Sequence, residues 1–456
     1  MALLDADNML DAGSRTGAPA RTPVVRSRGW RLAGRALAEL LTWLPVVAVV
    51  LFLGSRLDAW AEQGLDFSVY WHGGMILNDA GAGPSGLYRL TEAWAGGPEL
   101  PFTYPPFAAL IFSLLARTSE ESALMMFNAA GVAVAAWFGV LAVRYWNAKQ
   151  DWRATFGAPG FGPDALARTR NRWGAAVLLL AFVNLGPWRE SLAFGQINIL
   201  LMGLMAADLL ARNRRGRDFP GSGFLVGVAA GIKLTPLVFG LYFLMRKDWR
   251  GLLNMGAGFA FTVVVGWLVR PVESLQFWLD TLPDTSRIGG AGYVDNLSIK
   301  GALLHFGVPE SAVTVPWLVL SLLVVALGAA IIKAASEQGG RVVAISATAL
   351  TMLLISPVSW SHHWVWMAAV LPAFAWTLRE TPRRHALARW LMGAVLAASV
   401  LVFCFSPKTI GLALGATDLD VQTPGLWIMA SSAGVFCALA LMGCWLVVLR
   451  RDSVSA

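Results

Sequence analysis

Runs of about 20 apolar residues recur from Ala36 onward, each long enough to cross a hydrocarbon core of roughly 30 Å. Such runs leave few options. Segments such as Ala175–Phe182 and Leu318–Ile332 do not alternate in polarity, which excludes a transmembrane barrel built from alternating strands of about 10 residues. Only 14% of the 456 residues are charged, against roughly 25% in soluble domains, too few to wet the surface of a globule. The expectation is an all-α, polytopic, multi-pass membrane protein, with membrane lipids as its surroundings.

The net charge of +8 resides in short Lys and Arg clusters between the apolar runs, so it reports topology and not nucleic-acid binding. Cys404, Cys437 and Cys444 lie in or beside apolar runs, and no Cys/His pattern has zinc spacing, so neither a disulfide framework nor a structural zinc is indicated by spacing. Residues 1–35 are small, polar and Arg-rich without an apolar signal region, which predicts a disordered cytoplasmic tail ahead of a single transmembrane domain over 36–451.

Positive charge near span ends marks the cytoplasmic side. Arg26, Arg28, Arg31 and Arg35 place the start inside, before a first span near Ala36–Gly54. The acid-rich stretch that follows is therefore outside. Phe102–Ala116, with Pro105-Pro106, is below spanning length and reads as re-entrant or interfacial. Full spans follow near Ser122–Val143, Trp173–Pro187 and Ala193–Ala211, each inner end flanked by arginines. Gly223–Met245 consists of two short apolar pieces broken at Lys233-Leu234-Thr235-Pro236, with basic flanks on both ends, which predicts a hairpin with Lys233 deep in the membrane. Gly251–Val269, Ala312–Ile332, Val342–Ile355, Val365–Leu378, Ala386–Phe405 and Gly425–Leu449 complete about ten spans plus the hairpin, with exterior loops at 55–121, 270–311 and 406–424. No internal repeat is visible, which weighs against a transporter of lipid-linked sugar.

Ionisable residues at membrane depth or on a shared face are candidate functional groups, because the bilayer penalises them otherwise. Asp58, Glu62 and Asp66 share one helical spacing, and the aromatic context of Asp66-Phe67-Ser68-Val69-Tyr70-Trp71 favours Asp66 as a general base shielded from water. His362 and His363, amid Trp360, Trp364 and Trp366, fit either core imidazoles or a pair that hydrogen-bonds a phosphate or sugar. Lys233 in the hairpin break calls for an anion, or else snorkels to an interface. Arg189 either pairs with Glu190 or meets a phosphate. The amides of Gln196, Asn198 and Asn296 suit sugar hydroxyls or helix caps. Asp418-Leu419-Asp420 resembles a short metal motif, with helix capping as the competing reading, and no metal ligand is assigned. Gly289-Gly290-Ala291-Gly292 lacks the strand-to-helix context of a phosphate loop. Apart from Lys233, the candidates fall on the exterior side by charge counting alone.

Asp66-Phe67-x-x-Tyr70-Trp71, Phe102-Thr103-Tyr104-Pro105-Pro106, Gly195-Gln196-Ile197-Asn198, Gly231-Ile232-Lys233-Leu234-Thr235-Pro236, Asn296-Leu297-Ser298 and Ser359-Trp360-Ser361-His362-His363 stand in an order that resembles the polyprenyl-phosphate-mannose-dependent alpha-mannosyltransferases of actinobacteria. That resemblance implies a GT-C glycosyltransferase fold at the plasma membrane with the active site on its extracytoplasmic face. It also implies a polyprenyl-phosphate mannose donor as substrate, with no cofactor, and a glycolipid acceptor of the phosphatidylinositol mannoside kind. Asp66 maps onto the family's catalytic aspartate, and its catalytic histidine onto His362 or His363. Lys233 and Arg189 are the expected partners of the donor phosphate, and Tyr70, Trp71, Tyr104, Gln196, Asn198, Asn296 and Trp360 the expected sugar or acceptor contacts. An arabinofuranosyltransferase using decaprenyl-phosphate arabinose is the enzyme alternative.

Overall fold

A computed structural model describes residues 41–54, 64–79, 86–89, 91–93, 99–147, 165–210, 220–284, 287, 289–416 and 425–454. The expected tail over 1–35, Asp58, Glu62, Asp418 and Asp420 lie outside these residues. In chain order, α1 (Leu44–Gly54) and α2 (Leu65–Asn78) precede a two-stranded antiparallel ribbon, β1 (Thr91–Ala93) and β2 (Glu99–Pro101), in which Thr91 faces Pro101. Then come α3 (Pro106–Leu115), α4 (Glu120–Asn147), α5 (Ala165–Asn184), α6 (Gly186–Phe194), α7 (Asn198–Leu210) and α8 (Phe224–Ile232). A 3-10 turn, Thr235–Phe239, joins α8 to α9 (Gly240–Met245), followed by α10 (Trp249–Val269), α11 (Pro271–Gln276) and α12 (Ile299–His305). The chain closes with α13 (Thr314–Glu337), α14 (Arg341–Ile355), a 3-10 segment Ser361–Trp366, α15 (Met367–Glu380), α16 (Ala386–Phe405), α17 (Pro407–Ala413), α18 (Trp427–Ser431) and α19 (Ala433–Val454).

Apart from the small ribbon the described fold is helical. Among the described residues, α4, α10, α13, α16 and α19 are long and apolar enough to cross a membrane, and α6 with α7 makes a sixth if the bent pair counts as one span. Their outward faces remain apolar. Leu268 is 78% and Trp390 79% exposed, a surface that suits lipid and not water. The expected spans Val342–Ile355 and Val365–Leu378 recur with nearly those bounds as α14 and α15. At 15 and 14 residues, α14 and α15 rise only about 22 Å, because the Ser356–Trp366 stretch between them is taken up by turns and a 3-10 segment.

Three further departures from the sequence reading have local causes. Ala193–Ala211 is not one span: α6 and α7 meet at 115°, since Gly195 has φ +64°, a left-handed conformation that ends α6. Gly425–Leu449 is interrupted at Ser432, between α18 and α19. The stretches 55–121, 270–311 and 406–424, expected as exterior loops, hold helices, among them α2, α3, α11, α12 and α17, because their apolar residues pack onto the bundle.

The hairpin is present, and glycines set its geometry. Added Cβ atoms at Gly223 and Gly227 would collide with the carbonyl oxygens of Gly251 and Met255, so α8 and α10 touch backbone to backbone and run parallel. Phe243 of α9 also reaches Gly251, so the second arm returns to the level where the first began. The turn between them sits beside Thr262, which packs against Gly231, near the far end of α10. After nine residues of α8, about 14 Å, the chain breaks where Lys233 adopts an extended backbone (φ −144°) before Pro236.

Buried tryptophans tie this region together. Trp188 of α6 donates its indole N–H to the Val365 carbonyl at 2.9 Å, and Ser191 donates to the His362 carbonyl at 2.9 Å. The 3-10 segment is thereby fixed against α6, and with it both adjacent histidines.

Candidate active site

Five separate segments deliver polar groups to one cleft: the first two turns of α2, the residues just before α3, the α6–α7 bend, the hairpin turn and the 3-10 segment. Lys233 determines their polarity, because an ammonium only donates. Its Nζ donates to Asn198 Oδ1 at 3.0 Å and to His363 Nε2 at 3.1 Å, and it stands 5.6 Å from the Tyr104 ring centroid. With its oxygen so engaged, Asn198 turns Nδ2 to the His362 carbonyl (3.2 Å) and to Gln196 Oε1 (3.3 Å). Tyr70 donates to the same Gln196 oxygen at 3.0 Å, and its hydroxyl lies 2.8 Å from that of Tyr104. The Gln196 amide nitrogen is left to donate to Asp66. One hydrogen-bonded chain therefore runs from a carboxylate to a cation.

The ends of that chain are chemically distinct. Burial pushes the Asp66 carboxyl up to about 6, outweighing the opposing pull of the Gln196 hydrogen bond, Lys233 and Lys408. A carboxylate so placed is a stronger base than one in water. Burial, and then the charge of Lys233, hold His362 and His363 well below the ordinary imidazole range, so both are neutral. Acceptance from Lys233 at Nε2 puts the His363 proton on Nδ1. Among the described residues no carboxylate lies within 4.0 Å of Lys233, so its charge is available to an incoming anion.

Of the residues singled out from the sequence, Asp66, Tyr70, Tyr104, Gln196, Asn198, Lys233 and His363 converge here, with His362 contributing a carbonyl. Lys233, the one candidate set apart by charge counting, meets the others because the hairpin turn reaches the level of the α6–α7 bend. Trp71 instead donates to the Thr118 carbonyl at 3.1 Å. Arg189 donates to the carbonyls of Asn184 (2.7 Å) and Cys404 (2.8 Å), closing the ends of α5 and α16. Asn296 bonds only backbone: its amide nitrogen donates to Ala291 and Pro357, and its oxygen accepts from Ser298 and Ser359. It pins the strand-like bridge to Trp360, whose ring meets Tyr293 edge to face.

Lys408, which the sequence reading passed over, sits at the start of α17, 5.8 Å from the Phe194 ring centroid and 5.5 Å from that of Tyr293. Its charge bears on Asp66 and on Asp295. The available signal was a lysine just past the outer end of a predicted span, where the charge rule disfavours one. Among the described residues, Glu190, Asp295 and His362 form a cluster with metal-ligand character: one ligand atom from each lies within 4.8 Å of the others.

Comparison with known proteins adds the family. Residues 102–357, more than half of the chain, match the model of glycosyltransferase family 87. The chain belongs to glycosyltransferase family 87. A polyprenol-phosphate-mannose-dependent alpha-(1-2)-phosphatidylinositol mannoside mannosyltransferase of Mycolicibacterium smegmatis is 34% identical over 391 residues, covering 83% of this chain and 84% of that protein. The equivalent named protein of Mycobacterium tuberculosis is 33% identical over 364 residues, covering 77% and 78%. A phosphatidylinositol pentamannoside mannosyltransferase of M. smegmatis is 31% identical over 440 residues, covering 92% and 94%. No solved structure matches. Every element of the Gln196–Asn198–Lys233–His363 network lies in the part that identifies family 87 except His363, six residues beyond it; Asp66 and Tyr70 lie before it. This family 87 protein therefore draws its cleft from a stretch wider than the family match.

Proposed function

We propose that this protein transfers mannose from polyprenyl-phosphate mannose to a hydroxyl of a phosphatidylinositol mannoside, with inversion, at the extracytoplasmic membrane face. The observation that carries the reading is the separation of Asp66 from Lys233 by a hydrogen-bonded amide pair, which leaves a base at one end of the cleft and an uncompensated cation at the other. The mannosyltransferase names of the relatives support the donor and the acceptor class, and the pentose-donor alternative is not favoured.

In this scheme the acceptor hydroxyl lies against Asp66. As its oxygen bonds to the anomeric carbon, the O–H proton passes to the Asp66 carboxylate. The bond from that carbon to the phosphate oxygen breaks on the opposite face, and the electron pair leaves with polyprenyl phosphate. The phosphate gathers charge, which Lys233 offsets as an ion and His363 through a hydrogen bond. A beta-linked donor becomes an alpha-mannoside. Tyr70 and Tyr104 bound the cleft, and Gln196 orients the base.

Membranes carrying wild type or Asp66→Asn, supplied with radiolabelled polyprenyl-phosphate mannose and a phosphatidylinositol mannoside, test this reading. Wild type forms the labelled product, and the variant does not. Equal product from both overturns the assignment of the base, and lipid translocation without sugar transfer overturns the enzyme reading.

A further inference from the structure

Beside the cleft, but outside the proton and phosphate chemistry, lies a second concentration of buried polar groups. Glu190 comes from α6, Asp295 from the turn ahead of α12 and His362 from the 3-10 segment. One ligand atom from each lies within 4.8 Å of the other two. His362 is 5% exposed, and neither ring nitrogen has a hydrogen-bond partner. An imidazole buried with both nitrogens unbonded is costly unless something outside the polypeptide meets one of them.

The carboxylates are arranged as ligands that second partners hold in place. Glu190 accepts from Ser406 Oγ at 2.8 Å and from Ser361 Oγ, and Asp295 accepts from the Ser361 amide at 3.3 Å. The charge of Lys408 bears on both acids, yet Lys408 lies beyond 4.0 Å of either. Two facing carboxyl groups are thus left without a cation in direct contact, beside an imidazole with no hydrogen bond.

We propose that Glu190, Asp295 and His362 bind one divalent ion of the zinc or manganese kind, which staples α6, the turn before α12 and the 3-10 segment together. One nitrogen and two oxygen donors suit zinc, a borderline ion that takes imidazole and carboxylate together, and manganese, a harder ion that favours the two carboxylates. Calcium and magnesium prefer a fuller oxygen shell. The serine bonds to both carboxylates are the outer contacts that orient metal ligands. The site is absent from any sequence spacing because its ligands come from three distant segments. Its consequence is positional: it anchors the residue next to His363 and so keeps that imidazole beside Lys233. The transfer scheme runs through no ion, and the proposal stands or falls independently of the sugar transferred.

The test uses the full chain purified in detergent, stripped with EDTA, incubated with zinc chloride or manganese chloride, desalted and analysed for metal by mass spectrometry. Wild type retains a single zinc or manganese ion per chain and melts at a higher temperature when refilled. Asp295→Asn and His362→Gln lose the ion and the shift, whereas His72→Ala, outside the cluster, retains both. Stripped wild type that neither takes up metal nor changes its melting point overturns the proposal and assigns the carboxylates a shared proton. Metal retained equally by the two cluster variants also overturns it, as an adventitious ion only. Because the comparison of stripped with refilled wild type decides the first point, a variant that fails to fold does not block the test.

Discussion

Replacing Asp66 by Asn is expected to abolish transfer while making the protein more stable. Burial raises the Asp66 carboxyl from 3.8 to about 6 in the folded state, so ionising it costs more there than in the unfolded chain. At about 1.4 kcal/mol per pKa unit, that difference corresponds to at most about 3 kcal/mol of destabilisation once the group is ionised. The sign is that of a raised acid. Folded protein holds the proton more tightly, so its contribution is favourable below 3.8, is lost as pH rises through about 6, and is constant beyond. Asn keeps the hydrogen bond from Gln196 without the charge, and its melting temperature should exceed that of wild type at pH 7.5 and converge with it toward pH 4. Activity moves in the opposite direction. Loss of a general base costs roughly 10²- to 10⁴-fold in kcat. Wild-type kcat/KM should fall about tenfold per pH unit below about 6 and level off above it. Thermal unfolding in detergent and initial rates with labelled donor measure both effects. A flat rate profile across pH 5 to 8, or an Asn variant less stable than wild type at pH 7.5, would refute the reasoning.

Lys233→Met removes the cation without much loss of volume, so kcat should drop roughly 10²- to 10³-fold with a smaller change in acceptor KM, as measured by steady-state kinetics. Gln196→Leu deprives Tyr70 and Asn198 of their shared acceptor and Asp66 of a donor. Stability should fall by about 1–3 kcal/mol and the acid limb of the rate profile should move to higher pH, because the lost hydrogen bond had favoured the charged carboxylate. Gly195→Ala places a Cβ 2.5 Å from that of Phe67 at a φ of +64°, so a loss of at least about 1–3 kcal/mol in thermal or denaturant unfolding is expected, together with reduced transfer.

How far the sequence reached depended on which physical constraint each residue expresses. Lys233, Asp66 and the His362–His363 pair stood out because charge and imidazole are costly near lipid, a penalty that a residue reveals by itself; which histidine faces Lys233 did not. Gln196 and Asn198 were visible only as amides of uncertain purpose, since their role follows from the polarity that Lys233 imposes across separate helices. Arg189 and Asn296 look in sequence like ligand-binding groups, yet backbone carbonyls and amides occupy them. Helix ends were legible where apolar length governs, as in Ala386–Phe405, and were missed where a single φ governs, as at Gly195. Lys408 went unread because charge counting assigns basic residues to topology before asking what they face.

Keeping Asp66 and Lys233 apart is what makes either of them useful. A direct ion pair would draw the carboxyl back down and weaken it as a base, and it would also neutralise the ammonium before a phosphate arrived. The Gly195 bend prevents this by presenting Gln196 and Asn198, two residues apart, as a neutral spacer whose dipoles point the same way: an N–H toward the acid, an oxygen toward the cation. Each end is thus hydrogen-bonded but not discharged. A donor phosphate entering at Lys233 adds the missing negative charge, and the same charge raises the proton affinity of Asp66 along the cleft. Donor binding should therefore shift the acid limb of kcat to a pH above that of kcat/KM. Coincident limbs in the two profiles would mean that carboxylate and phosphate do not sense one another, and the spacer would lose its purpose.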